Sequence, residues 1–274
     1  MKINLPKLFR RLLRIIASLV IIYLLSLVFV YFKQERFFFN PKHLEKNYQY
    51  TFQEDFEEIN IPVEENIFLN ALLFKTQQPR KGVIVYFHGN AGAIHDWGKR
   101  APLYMNNGYD ILFFDYRGYG KSDGSYNNTE QLFNDSQKVY NFIKQRYNED
   151  KIIVLGYSLG SGLAAYTAAK NQPKMLILNA PYYSWKTLIS EEIAPPIPRF
   201  LVKYDITTYA YIEKITCPIH IFYGTRDFLI HPDTNAKKLK AISPENITLH
   251  PVIDGGHNGL HITKEYYDAL KELL

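Results

Sequence analysis

A chain of 274 residues can hold one large domain or two small ones, with enough length for a substantial core. Apolar residues make up 47% and aromatics 15%, which excludes a disordered chain. The formal charge of +5 is concentrated at one end. Lys2, Lys7, Arg10, Arg11 and Arg14 precede the first long apolar run, and without them basic and acidic residues balance at 27 each. No nucleic-acid partner is expected of so neutral a remainder. The single cysteine, Cys217, excludes an internal disulfide and reads as a buried structural thiol. No Cys, His and acidic cluster has zinc-site spacing, and no metal or organic cofactor is expected.

Residues 15–32 are apolar or aromatic except for Ser18 and Ser26. As a helix they rise about 27 Å, close to the thickness of a hydrocarbon core. The run is long for a signal-peptide core, offers no small-x-small cleavage site, and lacks the polar face of a buried core helix. Residues 1–32 are therefore expected to be a basic stretch and a retained transmembrane anchor. The upstream basic excess places the N-terminus in the cytoplasm and the rest of the chain beyond the membrane, in a periplasm or lumen.

Residues 33–55 read as a juxtamembrane linker, and residues 56–274 as one catalytic domain. A hairpin is expected from residues 56–62 and 67–74 around Glu64, Glu65 and Asn66. Continuous apolar runs at 83–87, 109–114, 152–156, 175–178, 219–223 and 247–252 suit strands buried on both faces. Helical patterns at 129–147 and 159–170 lie between them. The fold class is α/β, a mostly parallel sheet with helices on both faces. Residues 182–211, with Pro195, Pro196 and Pro198, break the alternation as an insertion of short helices or a mobile lid.

The run Ile152-Ile153-Val154-Leu155 leads into Gly156-Tyr157-Ser158-Leu159-Gly160 and then an alanine-rich helix. A strand that turns this sharply into a helix needs neighbours without side chains, and the turn lifts the Ser158 hydroxyl above the sheet edge. A second copy, Gly120-Lys121-Ser122-Asp123-Gly124, has no strand running into it and no helix directly after it, so Ser122 reads as a loop residue. It also fails as a phosphate-binding loop, because Asp115 stands where that loop needs glycine. His88-Gly89-Asn90-Ala91-Gly92 follows a strand and can aim a backbone N–H at Ser158, paired with that of Leu159, as an oxyanion hole. His88 reads as a brace for this turn.

Together with Asp115-Tyr116-Arg117-Gly118-Tyr119-Gly120, these motifs resemble the α/β-hydrolase superfamily, and within it the Bem46-like membrane-anchored serine hydrolases. The resemblance covers residue 56 to the C-terminus and weakens over 182–211. It implies a triad in the order serine, acid, histidine. Gly224-Thr225-Arg226-Asp227 matches the acid-bearing turn and Gly255-Gly256-His257-Asn258 the base-bearing loop, giving Ser158, Asp227 and His257. Asp254 reads as a turn residue, His220 and His250 as structural, and His231 as without a chemical role, while His261 is placed to line the pocket. The expected activity is hydrolysis of carboxylic esters or thioesters of a small-molecule or lipid acyl substrate. A serine peptidase or amidase is the alternative within the fold, and a non-catalytic hydrolase-like binding domain is the alternative outside it.

Overall fold

A computed structural model describes residues 5–274; Lys2 of the N-terminal basic cluster lies outside the described residues. The chain opens with one long helix, Leu5–Phe38. Ten strands follow: β1 (Asn40–Pro41), β2 (Phe56–Glu64), β3 (Ile67–Phe74), β4 (Gly82–Phe87), β5 (Ala91–Gly92), β6 (Tyr109–Phe114), β7 (Ile152–Tyr157), β8 (Met175–Asn179), β9 (Ile219–Gly224) and β10 (Ile247–Val252). Eight of them form one sheet in the order β10-β9-β8-β7-β4-β6-β3-β2, and β3 alone runs against its neighbours. The small pair β1 and β5 ties the end of the long helix to the turn after β4.

The apolar runs explain this layout. Every residue of β4, β6, β7 and β8 is buried, as strands covered on both faces must be. Edge strand β2 instead alternates, burying Ile59, Ile61 and Val63 between exposed residues. The hairpin to β3 turns at Asn66, whose φ of 59° places it in the left-handed region that asparagine tolerates. Helices Thr129–Lys144 and Leu159–Lys170 join the core on one face, and residues 94–105 with helix Lys264–Leu273 join it on the other. Helix Thr129–Lys144 stops short of the expected residue 147, because its last turn relaxes at Gln145.

The helical segment Pro6–Arg36 contains an 18-residue stretch with a mean hydropathy of 2.7 and is long and apolar enough to cross a membrane. Its polar C-terminal turns do not end the helix. Gln34 donates to Leu201 O and accepts from Lys203 N, Lys203 pairs with Glu35 at 3.0 Å, and Phe38 and Phe39 are buried against Trp185 and Tyr204. Of the expected linker 33–55, residues 33–38 continue the helix and residues 39–55 connect it to the sheet; the Tyr50 hydroxyl, for example, donates to Asn70 Oδ1 at 2.8 Å. The stretch 182–211 consists of short helical pieces, Trp185–Thr187, the π-helical turn Leu188–Ile193, Arg199–Leu201 and Thr208–Ile212, with the prolines between the second and the third.

Candidate active site

The turn from β7 into helix Leu159–Lys170 is sharp. Ser158 has φ 50° and ψ −116°, a conformation that costs on the order of 1–3 kcal/mol for a residue with a side chain. The surroundings hold it there. Ser158 N donates to Asn179 O at 2.9 Å, Ser161 N donates to Ser158 O at 2.8 Å, and the helix after the turn is almost wholly buried. Gly160 allows the close approach the turn needs, since a Cβ there would lie 2.1 Å from Phe87 O. The serine thus sits at the C-terminal edge of the sheet, where the loops after the parallel strands converge.

Two of those loops bring the acid and the histidine. Gly224 ends β9 so close to the loop after β10 that a Cβ would meet Gly255 O at 2.2 Å, and Arg226 N donates to that same carbonyl. Asp227 follows, only 2% exposed. Its Oδ1 accepts from the N–H groups of Leu229 and Ile230, both at 2.9 Å, and its Oδ2 faces His257 Nδ1 at 2.8 Å. The other ring nitrogen, Nε2, lies 3.0 Å from Ser158 Oγ. A proton on Nδ1 donates to the carboxylate and leaves Nε2 to accept from the serine, which assigns the tautomer from its partners. Tyr157, beside the serine, donates its hydroxyl to His257 O at 2.5 Å and so ties the histidine loop to the turn.

The turn after β4 is held by side chains from the loop after β6. Tyr116 donates its hydroxyl to His88 O and Tyr119 donates to Asn90 O, each at 2.8 Å. His88 itself is fully buried, donates from Nδ1 to Gly89 O at 2.7 Å and lies 3.6 Å from Asp115. Burial pushes the His88 pKa down to about 4 and the Asp115 carboxyl well above its usual range. Among the described residues the backbone N–H groups of Asn90 and Leu159 have no hydrogen-bond acceptor. The bracing roles of Tyr116, Tyr119 and Tyr157 were not legible in the sequence; the two tyrosines of Asp115-Tyr116-Arg117-Gly118-Tyr119 were the one signal of the first two.

The remaining candidates separate cleanly. Ser122 donates to Asp115 O at 2.7 Å and accepts from Asn70 N at 2.9 Å, locking a loop. Asp254 occupies a left-handed turn at φ 56° and pairs with Arg226 on the surface. His220 and His250 face each other across β9 and β10 with ring nitrogens 3.0 Å apart. His231 is exposed, and its backbone N–H donates to Glu192. His261 is half-buried next to the base loop, and burial pushes its pKa down to about 4. Burial raises the Cys217 thiol to about 11, so no reactive thiolate forms at neutral pH. Among the described residues no group of His, Cys, Asp and Glu is arranged to hold a metal.

Known proteins share this architecture. The family model described as serine aminopeptidase, S33 (Hydrolase_4) matches residues 78–209. An uncharacterized protein of Acanthamoeba polyphaga mimivirus is 28% identical over 255 residues, 85% of either chain. Lysophosphatidylserine lipase of Danio rerio is 27% identical over 197 residues, 64% of this chain and 51% of that protein, so the chain spans about half the length of that relative. An esterase of Pyrococcus furiosus superposes with a TM-score of 0.69 at 18% identity, over 86% of this chain and 96% of its own. By sheet order, serine turn and these likenesses, the chain has the α/β-hydrolase fold, and its residues 78–209 resemble a serine hydrolase family.

Proposed function

We propose that the chain is a membrane-anchored hydrolase of carboxylic esters or thioesters carried by lipid-derived acyl groups, acting through Ser158, His257 and Asp227. The observation that carries this reading is the unbroken relay of 3.0 Å from Ser158 to His257 and 2.8 Å from His257 to Asp227. His257 takes the Ser158 proton as Oγ attacks the acyl carbonyl, and Asp227 holds the tautomer and stabilises the imidazolium. The N–H groups of Asn90 and Leu159 receive the oxyanion. His257 then returns the proton to the leaving oxygen or sulfur, and water, deprotonated by the same imidazole, releases the acid.

The acyl-lipid substrate class draws support from the N-terminal helix and from the lysophosphatidylserine lipases among the relatives. The narrower Bem46-like placement is part of this proposal. So is the orientation, with the N-terminus cytoplasmic, Lys7, Arg10, Arg11 and Arg14 on that side and the domain beyond the membrane. Residues 1–32 act as stretch and anchor, 33–55 as the connection and 56–274 as the catalytic domain, with 182–211 as its insertion. A peptidase or amidase reading draws on the description of the matching family model.

Labelling by a fluorophosphonate probe tests the nucleophile: the wild-type chain labels and Ser158→Ala does not. Undiminished labelling of that variant removes Ser158 from the mechanism. Turnover of p-nitrophenyl esters of rising chain length, with no turnover of aminoacyl p-nitroanilides, favours the ester reading, and the reverse pattern favours the peptidase.

A further inference from the structure

The helix Leu5–Phe38 and the insertion touch along one helix face. Tyr23 donates its hydroxyl to Pro196 O at 2.8 Å, Leu27 and Val30 are half-covered, and Gln34 holds Leu201 and Lys203. The spacing of these four residues, four, three and four, is a single helical stripe. Contact at Tyr23 has a geometric consequence. Tyr23 lies nine residues before Phe32, the end of the apolar run, which is about 14 Å along the axis. If that run spans a bilayer, residues 194–201 descend beside it into the same apolar layer.

The chemistry of this segment suits such a place. Within Ala194–Pro195–Pro196–Ile197–Pro198–Arg199–Phe200–Leu201, three residues are prolines and have no N–H to satisfy. Ala194 N donates to Ile189 O, Ile197 N to Ala194 O and Leu201 N to Pro198 O. Among the described residues only the N–H groups of Arg199 and Phe200 in this segment lack an acceptor. The carbonyls of Pro196 and Leu201 accept from helix side chains. Most backbone groups of the segment are thus satisfied, which eases the placement of non-helical chain at membrane depth, although the carbonyls of Pro195, Ile197 and Phe200 accept no hydrogen bond among the described residues. Apart from the exposed Arg199, whose long side chain can reach back to a polar level, its side chains are apolar: Phe200 is 81% exposed, Ile193 precedes the segment as an exposed residue, and an apolar groove of about 350 Å³ runs between Phe200 and Leu24, Val28 and Phe32. The ion pair of Lys203 with Glu35, with the ammonium 5.1 Å over the Tyr31 ring, returns the segment to a polar level. At the other end Glu192 accepts from Thr234, Asn235 and His231 N, on the stretch that follows Asp227.

We propose that residues 194–201 are a strap embedded among the acyl chains of the leaflet on which the domain sits, the groove against the helix being filled by a lipid acyl chain. The strap rests on the membrane-anchored reading above. It fixes the domain at the lipid surface independently of the helix, and it roots that contact in the loop that carries the catalytic acid.

The test uses the full chain in phosphatidylcholine vesicles, with Cys217→Ser as background and an environment-sensitive fluorophore on Phe200→Cys, Val20→Cys or Gln78→Cys. Nitroxides attached to the lipid acyl chains should quench positions 20 and 200 and spare exposed position 78. Quenching at 20 with none at 200 overturns the strap and leaves the anchor standing. Quenching at neither overturns both. Phe200→Asp adds an activity readout: hydrolysis of long-chain lysophospholipid in vesicles should fall about tenfold or more, while that of a water-soluble acetate ester stays unchanged. Unchanged vesicle turnover refutes the strap, whereas absence of all ester turnover in the unsubstituted chain refutes the proposed function instead.

Discussion

Replacing Asp135 by alanine should destabilise this protein more than any surface change, and the size of the loss follows from what it strands. The Arg117 guanidinium is 3% exposed, and its Nε and Nη2 donate to Asp135 at 2.7 and 2.8 Å; Asp135 is itself 2% exposed. A second carboxylate, Glu64, meets Nη2 at 2.7 Å but is 51% exposed. Removing Asp135 leaves a cation inside the protein with one half-solvated partner, a defect that costs about 3–5 kcal/mol. For a domain of this size each kcal/mol lowers Tm by about 2–4 °C, so a fall of roughly 6–20 °C is expected. Glu64→Gln should cost far less than Asp135→Ala because water screens its contribution. Urea titration in detergent micelles, followed by the fluorescence of buried Trp97 and Trp185, reads both. The double variant Arg117→Met with Asp135→Leu should recover most of the loss, since it strands no charge. Equal small losses for Asp135→Ala and Glu64→Gln would refute the reasoning.

Three further outcomes follow from the site. Asp227→Asn keeps an oxygen for Leu229 and Ile230 but no longer enforces the reactive tautomer, so kcat for a short p-nitrophenyl ester should fall about ten-thousandfold; a fall below tenfold would remove Asp227 from the relay. Tyr119→Phe deletes the hydroxyl that donates to Asn90 O, and kcat should drop about fivefold with KM unchanged, consistent with roughly 1 kcal/mol of lost positioning; a rise in KM alone argues against an oxyanion role for this turn. His88 stays neutral in the folded protein down to about pH 4, whereas in the unfolded chain it takes up a proton near its ordinary value of 6.5. Its contribution is therefore intact above pH 6.5 and shrinks as pH falls toward 4, by up to about 3 kcal/mol. Folding free energies of wild type and His88→Gln across that window should converge at low pH, and parallel curves would contradict the assignment.

The sheet was legible because strands buried on both faces have little choice of residue. The runs at 109–114 and 247–252 match β6 and β10, and Tyr157 extends β7 from the expected 152–156 to the turn at Ser158. The site was legible for a related reason: a strained turn at the end of a strand restricts its own sequence, which separated Gly156-Tyr157-Ser158 from Gly120-Lys121-Ser122. What stayed hidden depends on partners far away in the chain. Nothing local marks the Tyr116 hydroxyl as bound to a carbonyl 28 residues earlier, or that of Tyr23 as bound to one 173 residues later. The polar residues Lys33 to Arg36 masked the helix's continuation to Phe38, because Gln34 and Glu35 spend their polarity on the insertion instead of on water.

The contact between Ser158 and His257 joins residues 99 apart, across a sheet whose neighbouring strands β7, β8, β9 and β10 are each parallel. Pairings of that kind are non-local and slow to form. The strained serine turn needs only β7, its helix and Asn179, while the activating imidazole needs the Gly224 and Gly255 backbones already packed together. On the proposed mechanism, activity therefore requires the whole run of strands from β7 to β10. A chain in which β10 is not seated would hold a serine with ordinary alcohol chemistry, so ester turnover would report on completion of this edge of the sheet.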